Sequence, residues 1–296
     1  MSHAWMPTSP CGPECLTGDE ARVGRLRAAA RITQAVGVVI GALAVAPLMP
    51  IVGRRGRARL VRWFFRSVLR SFGIRLAVFN VGGLRAGGGA LVVNNHISWL
   101  DIVAVNAAQP MRAQAKSEVA SWPILGWLAN AAGTVYVDRE RLRLLPDAVA
   151  ELASVLRAGS MVNATPEGTS WCGLASGRFR TAPFQAAIDG NVPVIPVAFR
   201  FRMSDGRETT APAFIGDETL IDSLRRVARL RGLVMEMHVL PEIPAGTTTD
   251  RRTLSLLAEG AINSALGRVH VPSQQRRSLV LRLAKQHAPQ GRRLPA

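Results

Sequence analysis

The chain has 296 residues, room for one large α/β domain with appendages, and too many for a small scaffold held by disulfides. A net charge of +17, nearly all of it arginine with Lys116 and Lys285 as the lysines, together with 48% hydrophobic residues, points to anionic partners: lipid, phosphorylated substrate or nucleic acid. The three cysteines do not make a disulfide framework, and Cys11 and Cys15, with only His3 close by, fall short of the four ligands of a structural zinc, so no metal is predicted.

Residues 1–18 carry Pro7, Pro10, Gly12, Pro13 and Gly18 and are expected to be irregular. From Asp19 the pattern is helical. Four arginines (Arg22, Arg25, Arg27 and Arg31) precede an uncharged segment from Ala35 to Val52, which Pro47 and Pro50 break near its end. At about 18 residues it is marginal for a span, so it reads as a membrane-associated helix, spanning or re-entrant. A signal peptide ending at Ala42-Leu43-Ala44 is the rival reading; the long leading region and the flanking basic residues favour a retained anchor.

Arg54 to Arg75 contains eight arginines and no acid. Arg59, Arg62, Arg66 and Arg70 recur at helical spacing, with Leu60, Val61, Phe64, Phe65, Val68 and Phe72 opposite, a basic amphipathic helix suited to an anionic bilayer surface. The alternative is a helix packed on the domain with a solvated basic face. Nucleic acid is not an expected partner, because stacking aromatics and DNA-binding motifs are missing.

From Ile74 strands and helices alternate. Strands are predicted at Leu76–Phe79, Ala90–Val93, Met111–Ala115, Thr134–Val137, Met161–Ala164, Val192–Ala198 and Leu233–Val239. Helices are predicted at Trp99–Ala108, Trp122–Ala131, Arg139–Arg157, Pro183–Asp189, Glu218–Arg231 and Thr253–Leu266. The fold class is therefore α/β, a mixed sheet covered by helices, with an N-terminal membrane-associated helical region. The expected division is 1–73 for that region, 74–270 for the α/β domain and 271–296 for a basic tail, either lipid-facing or disordered.

Four stretches carry candidate chemistry. In Asn94-Asn95-His96-Ile97-Ser98-Trp99-Leu100-Asp101, a buried strand runs into a helix whose cap is predicted at Ser98 with Asp101 as the capping-box acid. Five residues turn a continuous helix by about 500°, so His96 and Asp101 meet only if His96 sits in the turn before it. There they form a base with its orienting acid. Arg139 follows the strand ending at Val137. Thr165-Pro166-Glu167-Gly168-Thr169-Ser170 puts a carboxylate and a glycine turn after another strand. Pro193 and Pro196 interrupt the apolar run around Val194, Ile195 and Val197, which predicts an edge strand or a cavity lining. Taken singly, each stretch also has a structural explanation: a helix cap, a surface ion pair, a turn acid, a sheet edge. Nucleotide-binding and serine-hydrolase signatures are missing from the sequence.

In this order the stretches resemble the four motifs of the lysophosphatidic acid acyltransferase family of glycerolipid acyltransferases. Asn95-His96 with Asp101 matches its NHxxxxD motif, Gly133 to Arg139 resembles the second, Pro166 to Thr169 matches the third and Val192 to Val197 resembles the fourth. Lys116-Ser117-Glu118, Pro123 and Gly126 look like the segment linking the first two. The resemblance spans roughly residues 74–240.

It implies that His96 is the general base toward an acceptor hydroxyl and that Asp101 holds its imidazole. Arg139 would bind the acceptor phosphate, Lys116 would be a substrate-binding residue, and Arg178 and Arg180, a few residues past the third motif, could compensate for the arginine missing there. Glu167, Gly168 and Thr169 would shape the acceptor site, and Val194, Ile195 and Val197 the acyl or acceptor groove. The expected reaction uses acyl-CoA or acyl carrier protein as co-substrate, no bound cofactor and a lysophospholipid acceptor, 1-acyl-glycerol-3-phosphate first. The expected place is the plasma membrane with the catalytic domain on the cytoplasmic face. The third motif departs from the family pattern: Thr165 replaces an aromatic residue, and Ser170-Trp171 replaces an arginine. That leaves open another head group, such as a lyso-ornithine lipid, and a non-catalytic membrane-binding protein is the rival from another class.

Overall fold

The computed structural model describes residues 7–49, 51–85, 88–138 and 141–268. Seven strands form one sheet: β1 (Arg75–Phe79), β2 (Ala90–Asn94), β3 (Arg112–Lys116), β4 (Val135–Val137), β5 (Met161–Ala164), β6 (Val194–Met203) and β7 (Leu233–Val239), in the order β1-β7-β6-β2-β5-β3-β4. Strands β6, β2, β5, β3 and β4 run parallel; β7 is antiparallel to β6, and β1 follows β7.

Eight α-helices lie among the described residues: α1 (Arg25–Val45), α2 (Arg54–Ser71), α3 (Leu100–Ala108), α4 (Leu125–Ala131), α5 (Leu145–Arg157), α6 (Ala182–Gly190), α7 (Leu220–Arg229) and α8 (Arg251–Ala265). Alternation along the strands divides the core. Ala90 and Val92 of β2 face a cluster with residues of α2, α3 and α7; Leu91 and Val93 face one with residues of α5, α6 and α8. The mixed sheet between two helical layers is the expected fold class, and all seven predicted strands are present.

Four expectations are corrected. The helix predicted from Asp19 begins at Arg25, because the chain before it is extended and pairs beside β7: Val23 N–H donates to Arg229 O, and Arg231 N–H to Ala21 O. The irregular N-terminal segment is packed rather than loose, with Cys11, Cys15 and Val23 in the same core as Val68, Leu69 and Phe72 of the α2 region. The apolar side of α2, expected to face lipid, lies against that core.

The fourth concerns β6, which is interior to the sheet rather than at an edge. Pro196 is tolerated there because its polar groups face the β7 side, where Leu240 N–H donates to Pro196 O. Pairing on that side slips, with two residues between Val194 and Val197 set against three between Val239 and Ile243. The missing proline N–H falls at this bulge and leaves no ladder partner unpaired.

Candidate active site

The parallel strands end along one edge of the sheet, and the predicted site residues lie just beyond them: His96 after β2, Glu167 after β5 and Lys116 closing β3. Arg139, two residues past β4, falls outside the described residues.

His96 sits in the turn before α3. Its Nδ1 lies 2.8 Å from Asp101 Oδ2, with the carboxylate 1% exposed and the imidazole 26% exposed. The same oxygen accepts the N–H of Ile97 at 2.7 Å and of Ser98 at 3.0 Å. A carboxylate accepts only, so Nδ1 carries the proton and Nε2 of the neutral ring is left as the basic nitrogen. The predicted capping box is only half formed. Asp101 reaches back to the turn, but the helix cap falls at Trp99 with no side-chain acceptor, and Ser98 Oγ is buried with no partner among the described residues. Asp101 thus unites the two readings of this stretch: one oxygen holds both the helix entry and the imidazole.

Two asparagines fix the turn from beneath. Asn95 clamps the backbone of β6, its Nδ2 donating to Phe199 O at 3.0 Å and its Oδ1 accepting Phe199 N–H at 2.8 Å. Asn94 donates to Asn95 O and accepts from Asn163 Nδ2. Both are buried among apolar neighbours, so each satisfied amide fixes one arrangement of the loop. The sequence reading quoted these residues without giving them a role; two amides directly after a buried strand were the available signal.

Glu167 braces the backbone of His96. Its Oε2 accepts His96 N–H at 2.5 Å, its Oε1 accepts Gly177 N–H at 2.7 Å, and the side chain is buried. Burial pushes this carboxyl up to about 8, against the opposing pull of those two N–H groups. Glu167, expected to shape the acceptor site, thus has both carboxyl oxygens engaged by backbone N–H groups. Gly168 has φ +76°, and a Cβ there would stand 2.6 Å from Pro7 Cγ, so the N-terminal segment passes directly over this turn. Thr169 is half-buried beside it.

The departures in the third motif have structural work. Ser170 Oγ donates to Phe214 O, and Trp171 N–H donates to His96 O at 2.8 Å, a second tie between this loop and the catalytic turn. Arg178 and Arg180 are exposed at the rim, and Arg180 N–H donates to Pro166 O at 2.8 Å. Lys116 is about half exposed and lies 3.5 Å from Glu118. Val194, Ile195 and Val197 do not line an accessible groove: all three are fully buried, and Val194 faces the opposite side of the sheet from the other two. Arg268 was not foreseen. Its guanidinium is buried within electrostatic reach of Glu167 and Glu208; a lone arginine after the last helix gives no sequence signal for such a place.

Comparison with known proteins adds a family to this geometry. A family model described as Acyltransferase matches residues 75–200. A 1-acyl-sn-glycerol-3-phosphate acyltransferase of Neisseria gonorrhoeae is 33% identical over 178 residues, 60% of this chain and 69% of that protein. A lyso-ornithine lipid O-acyltransferase of Pseudomonas aeruginosa is 31% identical over 265 residues, 86% of this chain and all of that protein. The crystal structure of the 1-acyl-sn-glycerophosphate acyltransferase PlsC of Thermotoga maritima shares the fold, with a TM-score of 0.66 at 15% identity over 82% of this chain and 94% of that one.

Proposed function

Because the chain belongs to the lysophosphatidic acid acyltransferase family of glycerolipid acyltransferases, we propose that it moves a fatty acyl group from an acyl thioester to the free hydroxyl of 1-acyl-glycerol-3-phosphate, giving phosphatidic acid. The observation that carries this reading is the His96–Asp101 pair, with Nδ1 engaged at 2.8 Å and the imidazole partly exposed at the strand ends.

In this mechanism the acceptor hydroxyl gives its proton to His96 Nε2 as its oxygen attacks the thioester carbonyl carbon. The tetrahedral intermediate collapses, the C–S bond breaks, and the thiol leaves with the proton returned from the imidazolium. Asp101 stabilises that imidazolium through Nδ1–H and fixes its tautomer. Glu167 and Trp171 hold the His96 backbone from its N–H and C=O. Arg139, Lys116, Arg178 and Arg180 are the cationic groups assigned to the acceptor phosphate and the phosphates of the donor, coenzyme A or acyl carrier protein. The protein works at the plasma membrane from its cytoplasmic face, on an anionic bilayer surface.

A second acceptor, lyso-ornithine lipid, is favoured by one observation: Ser170 and Trp171 are committed to backbone contacts where the family's phosphate-binding arginine usually stands. Purified protein in detergent, given one acyl-CoA and a panel of lyso-lipids, tests both. Lysophosphatidic acid is expected to be acylated by wild type and not by His96→Ala. Turnover of lyso-ornithine lipid alone would transfer the assignment to the second acceptor, and turnover of neither would overturn the enzyme reading.

A further inference from the structure

Cys172 lies far in sequence from Cys11 and Cys15, yet the three Sγ atoms all lie within 4.8 Å of one another. All three residues are buried and none is in a disulfide. Backbone contacts build the cluster from both sides. Cys15 closes a short 3-10 turn, its N–H donating to Gly12 O, and its own carbonyl accepts Thr210 Oγ1 at 2.7 Å. Cys172 N–H donates to Cys11 Sγ at 3.2 Å. Cys172 itself lies on the loop that Trp171 ties to His96.

Packing alone does not call for three thiols here, since a thiol is a weak hydrogen-bond donor and any small apolar residue would fill the space. A thiophilic ion does call for them. Zn–S bonds of about 2.3 Å in a tetrahedron set the sulfurs about 3.8 Å apart, so the cluster need close by no more than about 1 Å. Three thiolates around a divalent ion leave one negative charge, and the buried Arg268 guanidinium is in electrostatic contact with Cys172.

We propose that Cys11, Cys15 and Cys172 are thiolate ligands of a Zn²⁺ ion that fastens the N-terminal segment onto the loop carrying Glu167. The chain has three cysteines in all, so the fourth donor is a nitrogen or an oxygen. On binding, three S–H protons are released and three S–Zn bonds form, with no change of oxidation state. Pro7, four residues before Cys11, stands against Gly168, so the ion also holds the strap that crosses the catalytic turn.

The test is the metal content of the full chain, purified in detergent with a reductant and without chelator, read by plasma mass spectrometry. About one zinc per chain is expected, falling at least about tenfold in Cys172→Ser and in a Cys11→Ser/Cys15→Ser variant. Exchange with Co²⁺ should produce thiolate-to-cobalt charge-transfer absorption in wild type. Wild-type protein that is metal-free and takes up no Co²⁺ would overturn the proposal, as would undiminished zinc in Cys172→Ser or a disulfide among the three. Should the serine variants fail to fold, the wild-type zinc count and cobalt spectrum decide it. Neither readout depends on acyl transfer, so the result stands apart from the proposed activity.

Discussion

Asp101 Oδ2 accepts from His96 Nδ1, Ile97 N–H and Ser98 N–H at once, while Oδ1 is buried without a partner among the described residues. Asp101→Asn can present its one oxygen to those donors only by burying an unpaired NH₂, at a cost of about 1–3 kcal/mol. It also weakens the hold on the imidazolium, so kcat should fall more than KM changes; steady-state kinetics beside thermal unfolding would show this, and unchanged kcat would remove Asp101 from the mechanism. His96→Ala is expected to lower transfer by roughly 10² to 10⁴, with the unfolding midpoint nearly unmoved because the imidazole is partly exposed. Glu167 gives a pH signature. Its carboxyl is raised to about 8 in the folded chain, against about 4.3 in an unfolded one. Between those values the folded state holds the extra proton, so this group's contribution to stability declines as pH rises. The margin by which wild type exceeds Glu167→Gln in unfolding temperature should therefore shrink from pH 5 to pH 8, and a constant or widening margin would contradict the raised value.

Helix α2 shows where sequence reading stops. Its period is legible, and Arg59, Arg62, Arg66 and Arg70 form the expected stripe, but periodicity cannot tell which face a neighbour takes. Arg62 donates to Ala108 O and Gln109 Oε1, and Arg66 to Ala107 O, so two of the four arginines serve the C-terminal end of α3, the helix that carries Asp101. Arg55 and Arg59 remain exposed without such contacts among the described residues. Two variants should separate these tasks. Arg62→Ala/Arg66→Ala should cost about 1 kcal/mol of stability and leave vesicle binding nearly intact. Arg55→Glu/Arg59→Glu should leave stability unchanged and weaken binding to anionic vesicles by about 1 kcal/mol or more per residue. Equal effects in both assays would return the whole stripe to a single role. The catalytic turn was more legible than α2 because a strand, a turn and a helix within eight residues leave His96 and Asp101 few ways to avoid each other. Glu167 is legible as a site residue but its bracing of His96 is not, since its donors, the N–H groups of His96 and Gly177, are backbone groups that no residue type announces.

Across the molecule, part of the charge of +17 is engaged by the protein's own backbone. Arg31 donates to Ala228 O and Leu230 O at the end of α7, Arg157 to Asp189 O on α6, and Arg200 to Leu266 O after α8. Composition counted these guanidinium groups as available to anionic partners, whereas they cap helices. Helix α1 poses the remaining question. Arg25–Leu48 is long and apolar enough to cross a membrane, and almost none of it is buried. A crossing would set its two ends about 36 Å apart on opposite sides of the bilayer. Yet Val23 before it pairs beside β7, Arg31 within it bonds to Leu230 O, and α2 after it packs on α3. Both flanks are fixed to one α/β body, which suits a helix that meets the membrane from one side better than one that crosses it; the outer face of α1 includes Val36 and Ile40, 51% and 60% exposed. Burying each such side chain in lipid is worth about 1.5–3 kcal/mol, so Val36→Asp/Ile40→Asp should weaken vesicle association at least about 100-fold. Because neither residue belongs to the packed core, transfer to a water-dispersed short-chain acceptor should persist. Flotation with preformed vesicles reads the first effect, and short-chain acyl transfer the second. Vesicle binding that survives both aspartates would mean another surface carries the protein to the bilayer.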